Sequence, residues 1–159
     1  MMSPGTYLRL RREAAGFPTI HTLASFIAGA APRMMRPFEE RRVMMTFALE
    51  RAEGDREMLT NWQAGNLIPF FAFDPEVYQK LALLHADGPS SMLPVPQVCR
   101  DCGCSWFDPC TTDTCTCEWS AADPELCTAC EAKADHRHRH HHPHPAAPAA
   151  QRQPMERAL

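Results

Sequence analysis

The chain has 159 residues, eight cysteines, fifteen prolines and a formal net charge of −3, room for one ordinary core and a small satellite but not for two large cores. No segment approaches the ~18 apolar residues of a membrane span, and the opening MMSPGTYLRLRREAAG has no apolar run of signal-peptide length. The expected compartment is therefore the cytoplasm, where thiols stay reduced, and nine basic against seven acidic residues over 1–60 are too even a balance for a uniformly basic nucleic-acid binder.

Ser3 is a cap and Pro4 a first-turn residue for a helix running through TYLRLRREAA to the stop at Gly16. A second helix begins after Thr19, because Ile20, Leu23, Ala24 and Ile27 recur at i, i+3, i+4 and i+7, and it ends at Gly29. After AAPRMMRP, a third helix places Phe38, Met45, Ala48, Leu49 and Ala52 on one face and Glu39 and Glu40 at its positive end, with Gly54 as its stop. DREMLTNWQAG suggests a fourth, capped by Asp55. The fifth opens with Asp74 and Pro75, lines up Val77, Leu81 and Leu84, and stops at Gly88. Trp62, Phe70, Phe71 and Phe73 are assigned to the core, and His21 and His85 stand alone as structural or merely exposed residues. No period-2 run precedes residue 89, so residues 1–88 are expected to form a small helical domain. Residues 89–98, with three prolines in ten, are expected to be a semi-rigid linker.

All eight cysteines fall between Cys99 and Cys130. CRDC and CTAC are both CxxC, a spacing that lets one knuckle present two thiolates to a tetrahedral Zn²⁺, so Cys99, Cys102, Cys127 and Cys130 are expected to form a first site. Gly103 suits the positive φ of such a knuckle. DPELCTACEAKAD predicts a turn into a short helix starting near Asp123 or Pro124, with Trp106 and Trp119 as the apolar core of a treble-clef-like or ribbon-like module over 99–134. For Cys104, Cys110, Cys115 and Cys117 three readings stand: a second tetrahedral site, a Cys104–Cys110 disulfide, or free thiols. One zinc, or two, is expected. No histidine lies inside the module, so the shell is closed by sulfur, and Asp101, Asp108, Asp113, Glu118 and Glu125 read as a solvated rim rather than as acid-base groups. The HxE partner of a zinc deaminase is missing. With eight acidic against two basic residues over 99–135, made more negative by thiolates, the module should repel phosphate and suit protein docking. His136, His138, His140, His141, His142 and His144 belong to a low-complexity tail, 135–159, expected to be disordered, with loose metal capture incidental.

TYLRLRREAAGFPTIHTLASFIA resembles the opening of phage-repressor-like helix-turn-helix domains, which would set Arg9, Arg11 and Arg12 near a phosphate backbone. The connection AGAAPRMMRP is longer than the tight turn of that motif, so the region is helix-turn-helix-like and degenerate. The candidate recognition helix is 38–52, with Arg41, Arg42 and Arg51. The alternative is that these arginines form a solvated face paired with Glu39, Glu40, Glu50 and Glu53. More broadly, CRDCGC, a further cysteine, CEW and DPELCTAC resemble the C-terminal cysteine-rich module, roughly CRxCGC, C, CxW and DLCxxC, of a group of small bacteriophage and prophage proteins. SPGTYLRLRREAAG and FDPEVYQKLALLH match that group's N-terminal TPGxYLRxRREAAG and FDPxVYxxLAxLH. The likeness touches most of residues 3–130 and implies a zinc-binding module, with no activity attached. The chain departs from the pattern by an insertion between Cys110 and Cys117 that brings Cys115.

The expected fold is mainly α: a small helical N-terminal domain, a small zinc module and a disordered tail. The expected function is that of a phage-type, zinc-binding regulatory protein, cytoplasmic in a bacterial host, binding double-stranded DNA through its helices, with zinc structural and no enzymatic activity. The alternative is an adaptor that docks a host or phage protein through the acidic module. No membrane is involved.

Overall fold

A computed structural model describes residues 1–30, 37–111 and 116–141, the last seven of these as backbone only. The architecture is mainly helical, with six α-helices and no strand among the described residues. α1 (Pro4–Ala14) begins as the sequence dictates, with Ser3 Oγ accepting the Thr6 amide at 3.1 Å and Pro4 in the first turn. α2 (Ile20–Ala30) buries Leu23, Ala24, Ile27 and Ala28, and α3 (Phe38–Glu53) buries Leu49 and Ala52. α4 (Asn61–Gly65) is short, and α5 (Pro75–Asp87) is capped by the Asp74 carboxylate, which accepts the Glu76 and Val77 amides at 2.8 and 3.3 Å. A 3₁₀ turn, Gly88–Ser90, leads into an extended segment, and α6 (Thr128–His141) follows the cysteine-rich stretch. No helix among the described residues is long and apolar enough to cross a membrane.

The cap of α4 differs from expectation. Thr60 caps it through a reciprocal box with Gln63, while Asp55 turns the chain beyond α3 with φ of +53°, a conformation that aspartate tolerates better than most side-chain-bearing residues. Its carboxylate accepts the Gly5 N–H at 2.7 Å, fifty residues away. At the same contact, a side chain on Gly5 would lie 2.5 Å from the Glu53 carbonyl oxygen and 2.6 Å from that of Ala52, so only glycine lets the start of α1 meet the end of α3.

α1 packs against both α3 and α5, and α2 against α3. Tyr7, Leu8, Leu23, Leu49, Tyr78 and Leu81 are buried in the core they share. Both tyrosines enter it with their hydroxyls satisfied: Tyr7 accepts the Asp74 amide at 3.0 Å and Tyr78 the Leu59 amide at 3.1 Å. Phe71 and Phe73 join them as expected, and Phe70 packs at the edge. Trp62, assigned to the core from sequence, is 77 % exposed. The short α4 turns Ala64 inward, and Leu67 just beyond it is buried, so the indole is left outside.

α6 starts at Thr128, later than the Asp123 or Pro124 expected, and continues to His141, so its backbone carries helix into the segment expected to be disordered. His142 and His144 lie outside the described residues.

Two outcomes are expected. Gly5→Ala destabilises the protein by about 2 kcal/mol in urea titration, the cost of overpacking a rigid contact, whereas Gly29→Ala, which meets nothing nearby, does not. Burial raises the Tyr7 and Tyr78 phenols above their ordinary value, so the folded state resists ionising them. The stability this represents is present in full below about pH 10 and is lost as pH rises beyond it. Ultraviolet titration should show both phenols ionising only as the fold is lost.

Candidate metal centre

The knuckle is made by backbone. The Cys99 amide donates to the Cys104 carbonyl at 2.8 Å and the Gly103 amide returns to the Cys99 carbonyl at 2.9 Å, with Gly103 at φ +72° as the sequence suggested. Val98 pairs with Ser105 across the base of this turn. Farther on, the Cys117 amide donates to the Cys110 carbonyl at 2.8 Å, the Cys110 amide donates to the Cys117 sulfur at 3.1 Å, and Thr111 pairs with Thr116. Cys115, between them, lies outside the described residues. A third pairing, Trp119 with Cys127, and the Thr128 amide on the Glu118 carbonyl at 2.8 Å bring the second CxxC back to the first. Ser120 fastens the intervening turn, accepting the Ala122 and Asp123 amides and donating to Glu131 at 2.7 Å.

These pairings place sulfur against sulfur. Cys102 and Cys127 lie 3.8 Å apart, Cys104 and Cys117 3.7 Å, and Cys102 and Cys110 3.4 Å. A tetrahedron with ~2.3 Å metal–sulfur arms has edges of about 3.8 Å, so the first two distances are those of a ligand shell. Two sets of four have all sulfurs within 4.8 Å of one another: Cys99, Cys102, Cys104 and Cys127, and Cys104, Cys110, Cys117 and Cys127. Either can hold a metal ion. The expected first site paired Cys130 with Cys99, Cys102 and Cys127. Cys130 is buried, and its thiol interacts with those of Cys102 and Cys127, but the fourth sulfur of the compact set is that of Cys104. The CGC spacing carried that signal, since Cys104 belongs to the same tight knuckle as Cys102. All seven cysteines among the described residues are free, so the Cys104–Cys110 disulfide left open by the sequence is not formed.

Crowding governs the thiol protons. Burial pushes Cys117 up to about 11 and Cys130 up to about 12, and Cys102, hydrogen-bonded to Cys104 and Cys99, is raised further. Cys99 moves the other way, held far below its ordinary range by hydrogen bonds from Cys102 and Cys104 and by the Cys127 amide at 3.4 Å. A divalent cation reverses the balance for the raised thiols, since a coordinating thiol is deprotonated outright.

The apolar support is smaller than expected. Trp119 packs on the cysteines with Leu126 and Ala129, but Trp106 is 72 % exposed and Phe107 beside it 79 %. The turn 105–108, closed by mutual hydrogen bonds between Ser105 and Asp108, aims its acid rather than its rings at the protein. Asp108, expected on the solvated rim, forms an ion pair of 2.5 Å with Arg11.

This pair relocates the arginines expected at DNA. Arg11 is buried, with Nε donating to the Ala72 carbonyl at 2.9 Å and Nη2 on Asp108. Arg12 is buried too, forked onto Glu53 at 2.6 and 2.9 Å. Neither faces outward, because α1 is enclosed by α3, α5 and the knuckle rather than lying along a surface. Arg41 donates to the Ala28 carbonyl near the end of α2 at 3.1 and 2.7 Å, satisfying a helix-terminal acceptor. Arg42 pairs with Glu39 at 2.6 Å, and Arg51 pairs with Glu57 at 2.5 Å while lying over the Phe47 ring. Arg9 is exposed on α1.

No family model, curated protein or solved structure matches the chain. The chemistry of the sulfur donors is what defines the centre.

Arg11 is also where the knuckle touches the helices. A side chain on Gly103 would lie 3.1 Å from both Arg11 Cδ and Leu10 Cβ. Arg11→Met, which keeps the aliphatic stem and removes the charge, strands a half-buried carboxylate that burial already raises against the pull of Arg11. The expected loss is about 3 kcal/mol, read as faster amide exchange over 99–111. Arg9→Met leaves that exchange unchanged.

Proposed function

We propose that the chain is a non-enzymatic, phage-type regulatory protein whose cysteine-rich module holds zinc in a structural role and docks a partner protein. The observation that carries this reading is the convergence of sulfur on sulfur at ligand-shell distances, with no nitrogen or oxygen donor in either four-sulfur set. Soft, closed, all-thiolate donors suit Zn²⁺ and leave no coordination position for a reacting water. The order of parts, a knuckle, paired segments and then a helix bearing the second CxxC, supports a treble-clef-like or ribbon-like module.

Charge and exposure support docking by this module. Trp106 and Phe107 stand outward on a stretch with eight acidic and two basic residues, and a cavity of about 180 Å³ opens between Trp106 and Trp119 above Cys104 and Cys117. Exposed aromatics within an acidic field fit a basic protein segment. Duplex DNA is the second reading, supported by exposed Arg9 and by Arg42 and Arg51 on α3, which keep partial exposure.

Zinc analysis of the full chain made in reducing cells tests the core of this proposal. Zinc is expected to copurify, and chelation is expected to remove on the order of 10 kcal/mol of stabilisation from residues 99–130, seen as lost amide protection there while α1, α3 and α5 keep theirs. A metal-free protein with a chelator-resistant C-terminal fold overturns it. For the partner, titration with a Lys/Arg-rich peptide should be weakened at least tenfold by Trp106→Ala with Phe107→Ala. Tight, salt-dependent duplex binding lost on Arg9→Glu, Arg42→Glu and Arg51→Glu would instead favour the second reading.

A further inference from the structure

We infer that the cysteines hold two metal ions as one cluster with shared sulfur, Cys104 and Cys127 each bridging both ions, rather than as two separate four-cysteine sites. This rests on the metal-binding reading above and goes beyond it in nuclearity and ligand assignment.

The two four-sulfur sets are not independent, because Cys104 and Cys127 belong to both. Two tetrahedral ions, four donors each, met by the six sulfurs of these sets require two sulfurs to serve twice. Cys99 and Cys102 then complete one shell, and Cys110 and Cys117 the other. The backbone explains why these two are common. Cys104 closes the knuckle through its carbonyl, so its sulfur is carried beside the first CxxC while remaining 3.7 Å from Cys117 on the other arm. Cys127 is set by its pairing with Trp119 and by its amide on the Cys99 sulfur, and its own sulfur is 3.8 Å from Cys102.

Burial is compatible with this division. Cys104 and Cys127 are both 1 % exposed, and of the terminal four Cys99 is buried as fully, at 0 %, while Cys102, Cys110 and Cys117 are half-buried. Bridging sulfurs must sit between the ions, and terminal ones need not. Electrostatics favours sharing as well: six thiolates on two divalent ions leave about −2, against about −4 for eight thiolates in separate sites, within an already acidic stretch. Cys102 and Cys110, one from each set, touch at 3.4 Å. The sulfurs therefore form one body. In an edge-sharing pair of tetrahedra, terminal sulfurs on different ions lie farther apart than this, so loading separates Cys102 from Cys110.

The test is ¹¹³Cd NMR of the full-length protein loaded with ¹¹³Cd²⁺ alone, with metal counted per chain by native mass spectrometry. Only the resonances of sulfur-bound cadmium, well separated from those of histidine-bound cadmium, are scored. The expected result is two such resonances, with the β-protons of Cys104 and Cys127 each correlated to both. Cys110→Ser should then lose one ion, and Cys130→Ser with Cys115→Ser should keep two. Two ions with no cysteine correlated to both, or loss of an ion on removing Cys130 and Cys115, overturns sharing in favour of separate sites. A single sulfur-bound ion overturns the two-ion cluster while leaving the metal-binding reading intact. No sulfur-bound ion at all overturns both.

Discussion

Arg11 reaches from α1 in two directions, to the Ala72 carbonyl ahead of α5 and to the Asp108 carboxylate in the cysteine-rich stretch. A guanidinium taken out of water must have its donors used and its charge met, and here one side chain meets both demands with groups from two separate stretches of the chain, one ahead of α5 and one in the cysteine-rich segment. The position of α1 follows from this. Its N-terminus is locked to the end of α3 through Gly5 and Asp55, its middle to α3 through Arg12 and Glu53, and Leu10 and Arg11 carry the knuckle at Gly103. The first helix is thus a wall shared by the helical core and the cysteine module.

That placement changes what the basic opening of the chain is for. Arginines in RLRREAAG have the spacing of a phosphate-facing helix, yet two of the three lie inside, each matched to an acid distant in sequence. What the molecule presents outward is different: an acidic rim and two exposed aromatic rings carried on a turn that sulfur coordination would stiffen. A docking surface needs side chains held in place before the partner arrives, and under the proposed function a metal held by the sulfurs of Cys104, Cys117 and Cys127, which line one cavity with Trp106, would supply such a base.

The module has little else to hold it together. Among the described residues, apart from its cysteines, Leu126 is its one buried large apolar side chain, with Trp119 half-covered beside it. So small an apolar interior does not offset the entropy of ordering some thirty residues. Under the proposed function, thiolate–metal bonds would supply the remaining stability, and their formation would be the folding of the module. The docking onto α1 adds an ion pair and a close glycine contact, which orient the module more than they stabilise it.

Much of this was legible in the residues alone. Caps and breakers marked the helices because Ser3, Asp74, Pro75 and Gly54 act on backbone groups within a few positions of themselves, and the CxxC pairs marked a group of sulfurs able to hold a metal because their geometry is local too. The sites that were misread each depended on a distant partner. Asp55 looked like a cap until Gly5 met it, Trp62 looked like core until the shortness of α4 turned it outward, and Arg11 and Arg12 looked like phosphate contacts until Asp108 and Glu53 closed on them. Which sulfurs converge likewise depends on contacts distant in sequence, since a list of eight cysteines does not say which four meet. Local chemistry was therefore determined by the sequence itself. Which charges are spent inside, which rings face water and which sulfurs are shared was decided only when the fold brought residues tens of positions apart to within a few ångströms.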